Sequence, residues 1–281
     1  MAIDISNKQI YLAYKNVFGF LYPKKNDTII NKIIIKIFQS LYPFYVFLIN
    51  FKRSILLLFE SNKNQNITLN DIKLKLPNEY SYLLKEKGWC FIEDFLDDTS
   101  YKSILKYWPN KNNFKLTSKV IKNFSMAFIS INKSFPKNLE NHKYLKHFYE
   151  FLNSSNFDLI VNEFLGGVSN EFSCYSIASS ISEKKNYLAP HRDGIALSAN
   201  KAKIFNFIYF IDGNNEMPEF SGGTGIYEDN NFERPIFVPK NLKNTCLIYD
   251  SKDRFYHGYN IMASEGYRKA ITFQIFPKKI I

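Results

Sequence analysis

The C-terminal part of the chain predicts a mainly β fold with flanking helices, and its strand pattern fits a sandwich, a barrel or a jelly roll. Two observations lead there. From Glu171 onward, short runs rich in aromatic and β-branched residues recur at near-regular spacing, at 171–180, 203–211, 222–227, 234–238, 245–250, 256–261 and 267–276. Turn residues separate them, the signature of many short strands in one antiparallel fold. Before Glu171 the spacing is helical, so the helices precede and flank the strands instead of alternating with them.

Taken in order, the chain reads as two parts. Residues 1–75 form a basic, apolar, helical segment and linker, and residues 76–281 form one domain. Within the first part, Ile30, Ile33, Ile34, Ile37, Phe38, Leu41, Phe44, Tyr45 and Leu48 follow three-and-four spacing, with Lys32, Lys36, Gln39 and Ser40 on the opposite side. This is an amphipathic helix that Pro43 kinks or divides. The stretch is as long as a membrane span, but Lys36, Gln39, Ser40, Pro43 and Asn50 interrupt it. Two readings stay open for residues 28–60: helices packed on the outside of a sheet, or an element lying on an anionic bilayer. Residues 61–75 are polar and Asn-rich and read as a linker or long loop.

The domain opens with a helix over Glu79–Lys87 ending at Gly88, a strand over Trp89–Ile92, and a helix from about Thr99 to Trp108 stopped by Pro109. Residues 138–165 read as two helices closed by Gly166-Gly167. Between the later strands, 181–190, 212–221, 228–234 and 251–256 read as loops facing a substrate.

Composition narrows the partners. Of the net charge of +11, +7 lies in residues 1–75, which hold eleven basic residues against four acidic ones. The remainder is only mildly basic, which argues against a long nucleic-acid groove across the domain. Cys90, Cys174 and Cys246 are odd in number and widely spaced, forming neither a metal-spaced pair nor a disulfide framework, so a reducing cytoplasm is expected. Met1–Ile10 lacks the layout of a signal peptide. The skew toward Lys, Asn, Ile, Phe and Tyr looks like a coding bias, so the aromatic share of 17% carries no functional meaning by itself.

Chemistry concentrates in the strand region. His142 and His147 stand five apart in a Lys-rich helical stretch and so occupy different faces. His191 and Asp193 differ, because two residues apart in an extended segment their side chains point the same way. Four histidines and 26 acidic residues would give such a pair by chance about one time in three. His257, following another strand run, supplies a second imidazole. Two imidazoles and one carboxylate on one face of a metal leave the other positions open, the arrangement of non-haem Fe(II) sites that bind a cosubstrate and dioxygen. Arginine occurs at 53, 192, 234, 254 and 268 only, and Arg268 falls on the last long strand run. A guanidinium there suits a dicarboxylate. Arg234 and Arg254 read as solvated loop charges.

With these pieces in view, residues 80–281 resemble the Fe(II)- and 2-oxoglutarate-dependent oxygenases, and more closely their prolyl-4-hydroxylase-like branch. The resemblance rests on His191-Arg192-Asp193, the strand 205–211, Gly222-Gly223-Thr224, the strand 245–249, Tyr256-His257-Gly258 and Arg268. It implies a double-stranded β-helix (jelly roll, cupin-like) core. His191, Asp193 and His257 would hold iron as catalytic ligands, Arg268 would bind the far carboxylate of 2-oxoglutarate, and O2 would be the oxidant of a hydroxylase. Relatives often carry Ser two residues after the Arg; here it is Ala270. A second carboxylate contact is therefore sought among Tyr175, Asn206, Tyr209 and Thr272. DNA-repair relatives carry a further Arg where this chain has Gln274, which argues against nucleic acid. The expected substrate is a small molecule or a glycan, lipid-linked if residues 28–60 make peripheral membrane contact at the inner membrane surface; free amino acids and peptidyl proline stay open. The rival reading is a non-catalytic cupin-like metal-binding or scaffold protein.

Overall fold

Strand alternation sends successive side chains to opposite faces of a sheet, and here both faces are used. The computed structural model describes residues 71–114, 127–131, 140–166, 171–183, 187–192, 204–214, 223–230, 232–251, 255–260 and 267–278. Four helices are seen among them: α1 (Asn78–Lys87), α2 (Asp98–Lys106), α3 (Lys143–Leu152) and α4 (Ser155–Leu165). The strands are β1 (Trp89–Ile92), β2 (Ala127–Ile131), β3 (Phe172–Glu183), β4 (Tyr187–His191), β5 (Phe205–Gly213), β6 (Gly225–Tyr227), β7 (Pro235–Phe237), β8 (Thr245–Asp250), β9 (Tyr256–Asn260) and β10 (Tyr267–Pro277). One sheet has the order β1, β8, β5, β10, β3, β2 and the other the order β4, β9, β6, β7. All described pairings are antiparallel, and the chain passes between the two sheets as a jelly roll requires.

The larger sheet buries its two faces differently. From β5, β8 and β10, Phe205, Phe207, Tyr209, Ile211, Cys246, Ile248, Ile271, Phe273 and Ile275 meet the helices in one hydrophobic cluster. The alternate residues Ile208, Phe210, Leu247, Tyr249 and Ala270 face the smaller sheet and pack with Ile226 and Leu242. The helices start and stop where local chemistry directs. The Asp97 carboxylate accepts from the Thr99 and Ser100 N–H groups to cap α2, and the Ser154 hydroxyl accepts from the Phe157 N–H at α4. Gly88 and Gly166 end α1 and α4 at φ 81° and 65°.

Three expectations are corrected. Of residues 181–190, read as a loop, 181–183 are instead the end of β3 and 187–190 most of β4; Pro190 disguises the strand, and it is tolerated because β4 is an edge among the described residues. Residues 71–75, read as linker, belong to the core: Leu74 pairs with Leu96 and the Lys75 N–H donates to the Phe95 carbonyl at 2.8 Å. Helix α2 also stops at Lys106, short of Pro109. Strand β2 lies where no element was expected. The expectations for residues 28–60 lie outside the described residues, among which no helix is long and apolar enough to cross a membrane.

Asn244 ties the β8 end to the start of the domain. At φ 56° its side-chain amide donates to the Leu96 carbonyl at 2.9 Å. Its Oδ1 accepts from the Leu96 N–H at 3.0 Å and the Tyr209 hydroxyl at 3.2 Å. Asn244→Ala should lower unfolding stability in urea by about 2–4 kcal/mol, because it loses these bonds and strains a left-handed residue. Asn244→Gly, which relaxes the backbone, should cost less.

Candidate active site

His191 ends β4 and His257 sits at the second position of β9, directly opposite in the register of the pair. The two rings therefore meet, with centroids 4.3 Å apart. His257 is buried and His191 half-buried, so the pair stands at the mouth of the space between the sheets. The ring of Tyr249, from the larger sheet, backs His257 at 4.7 Å. Asp193, the expected third ligand, lies outside the described residues. Among those residues no group of three or more His, Cys, Asp or Glu comes together. The donor set nevertheless suits a divalent transition metal: two imidazoles on one side, one of them reached from the mouth.

Arg268 lies deeper, at the start of β10, and is 3% exposed. Its Cζ stacks 3.8 Å from the centroid of the Tyr259 ring and 5.8 Å from that of Phe210. Its Nη1 donates to the Thr224 hydroxyl at 2.8 Å, and the Ser182 hydroxyl donates to the Tyr259 oxygen at 3.3 Å. Burial pushes the guanidinium below its ordinary value, against the opposing pull of Tyr259 and Tyr249. A cation held at such a cost gains from any carboxylate brought beside it.

Strand β9 sets the scale of the pocket. His257 and Tyr259 are two residues apart and share a face, so they are separated by roughly 7 Å. Arg268, stacked on Tyr259, thus lies about one two-residue strand step from the imidazole pair.

Of the four residues sought as a second carboxylate contact, none adjoins Arg268. Tyr209 is on the opposite face of the sheet, packed on Phe95 and Phe148. Tyr175 occupies the bulge opposite Gln274 and Ile275 and packs on Phe276, at the far end of β10. Thr272 shares the face of Arg268 but lies four residues along, about 13 Å away. Asn206 is nearer the mouth, where the Gln274 amide donates to its Oδ1 at 2.9 Å and its own amide donates to Ser251. The neighbour is Thr224, buried in front of β6. The Gly222-Gly223-Thr224 motif contained it, but a contact made from one sheet to the other leaves no mark in strand periodicity. Glycine on both sides allows the approach: a Cβ at Gly223 would come within 2.3 Å of Pro239, and one at Gly225 within 2.8 Å of the Phe237 carbonyl. Arg234 pairs with Asp229 at the surface at 3.8 Å, as expected of a solvated charge; Arg254 lies outside the described residues.

No protein-family model matches the chain, and no curated protein matches it in sequence. Solved structures do match in shape. A 2OG-Fe(II) oxygenase family oxidoreductase from Burkholderia pseudomallei superposes with a TM-score of 0.51 at 13% identity, over 75% of this chain and 95% of that one. A prolyl-4-hydroxylase from Pseudomonas putida gives a TM-score of 0.49 at 11% identity, over 72% and 98%. HygX from Streptomyces hygroscopicus, solved with nickel and 2-oxoglutarate, gives 0.47 at 13%, over 73% and 88%. At such identities the likeness is one of fold: this chain has the jelly-roll core of the 2OG-Fe(II) oxygenase family structure from Burkholderia.

Proposed function

We propose that the chain is an Fe(II)- and 2-oxoglutarate-dependent oxygenase that hydroxylates a C–H bond of a small-molecule or glycan substrate. The observation that carries this reading is the facing His191–His257 pair, with the buried Arg268 stacked on Tyr259 two residues along the same strand. A metal kept only for structure, as in a cupin-like scaffold, has no use for a buried cation at that depth.

In this reading His191, His257 and Asp193 hold the iron. Bound Fe(II) would supply the activation of O2 that couples decarboxylation of 2-oxoglutarate to succinate with oxygen transfer to the substrate. Arg268 and Thr224 bind the far carboxylate, the guanidinium as the charge and the hydroxyl as a turnable partner. Tyr259 and Phe210 wall the guanidinium from water, so the carboxylate meets it in a low-dielectric site. Tyr249 keeps the His257 ring from turning away. Ser176, Gln274, Asn206 and Ser251 form a row of hydroxyls and amides hydrogen-bonded to one another. Residues 28–60, basic and amphipathic, are proposed to hold the domain at the cytoplasmic face of an anionic membrane, which would favour a lipid-linked glycan.

Adding Fe(II) and 2-oxoglutarate without oxygen should give a visible charge-transfer band, and admitting oxygen should yield succinate. Absence of both in folded, iron-loaded protein would favour the scaffold. Asp193→Ala should abolish succinate formation. Arg268→Met should weaken 2-oxoglutarate binding by about 30- to 1,000-fold (about 2–4 kcal/mol). It should also leave the melting temperature equal or higher, since a buried charge is replaced by an apolar side chain of similar length. Vesicle flotation checks the membrane proposal: the full chain should float with anionic vesicles at low salt, and truncation of residues 1–70 should abolish this.

A further inference from the structure

Strand β4 carries His191 but is poorly held where it does so. Among the described residues it is an edge strand, with β9 as its one neighbour in the sheet. The register slips between Leu188 and His191, and Pro190 in between has no N–H for the ladder. Beyond this irregularity the pairing rests on His191 opposite His257. One step further along the antiparallel pair, Arg192 comes opposite Tyr256, and its Cζ lies 4.5 Å from the centre of the Tyr256 ring. Alternation turns both side chains away from the side on which the two imidazoles meet. They therefore touch neither the metal position nor the space between the sheets.

We propose that Arg192 is a positioning residue: its stack on Tyr256 clamps the end of β4 to β9 and so fixes the backbone that carries His191. The inference rests on the metal reading above. The clamp lies outside the barrel on the residue next to His191, so it limits how far that imidazole can drift from His257. Charge alone predicts the reverse of the clamp. A guanidinium near a bound dication repels it, so removing the charge would tighten binding, whereas removing a clamp loosens it.

The experiment is titration of the full chain with Co(II), followed by calorimetry and by the visible absorption of the bound ion, with thermal unfolding of the metal-free protein in parallel. Arg192→Ala and Tyr256→Ala should each weaken Co(II) binding by about tenfold, the lower end of what outer-shell substitutions cost. Tyr256→Phe, which keeps the ring face, should retain the parent affinity. The unfolding midpoint of the metal-free protein should stay the same in all three, which separates positioning from a general loss of stability. The proposal is overturned if Arg192→Ala binds Co(II) as tightly as the parent or more tightly, or if Tyr256→Phe weakens it as much as Tyr256→Ala. His257→Ala distinguishes the two levels: if the parent shows no Co(II) binding that this variant loses, the metal reading itself fails and the clamp with it.

Discussion

A guanidinium enclosed between two sheets has given up most of its hydration, and the core of this protein is arranged around that fact. Arg268 is covered by the Tyr259 ring on one side and approached by Phe210 on another, and one of its N–H groups goes to Thr224. Each contact requires something of its neighbours. Thr224 comes close enough because Gly223 and Gly225 carry no Cβ to strike Pro239 and the β7 backbone. Ala270, on the same face two residues along β10, adds little volume beside the cation. The Tyr259 oxygen accepts from the Ser182 hydroxyl on β3, so the ring is held at its far end as well.

A barrel interior this polar is possible because stability is supplied elsewhere. The outward residues of β5, β8 and β10 share a large aromatic and aliphatic cluster with helices α1 to α4. Burial there, at about 25 cal/mol per Å² of apolar surface, drives folding. The inner face can then hold Arg268, Thr224, Asn206, Gln274 and Ser176 without the domain depending on it for hydrophobic stabilisation. The two faces of one sheet thus divide the tasks, and the period-two alternation of the strands makes the division.

The same alternation decides what could be read from the sequence. Strands β3, β5 to β10 and the helices α1, α3 and α4 were legible because their periods and their Gly or Ser caps are local signals. So was the pairing of His191 with His257, since a turn-bounded His and a second His on a later strand suggest a shared end. Strand β4 was hidden by Pro190, whose local preference says turn while its edge position allows strand. Tyr209 was misread for a different reason: its parity relative to Arg268 crosses a bulge at Lys269 and Ala270, and only the helix layer reveals which face it takes. Thr224 was named in a motif without a role, because its partner lies in the other sheet.

Aromatic abundance, which as composition carried no meaning, acquires one at particular positions. Tyr259 lies on Arg268, Tyr249 on His257, and Tyr256 beneath Arg192. A ring face attracts a cation through its quadrupole without accepting its N–H hydrogen bonds in the plane. An aspartate at position 259 would hold Arg268 more strongly, but it would consume the fork of donors and the charge that an incoming carboxylate requires. Tyrosine stabilises the cation and leaves those donors directed along the guanidinium plane. For a pocket whose proposed task is to take up and release a diacid in every turnover, a neutral partner of moderate strength is the one consistent with exchange.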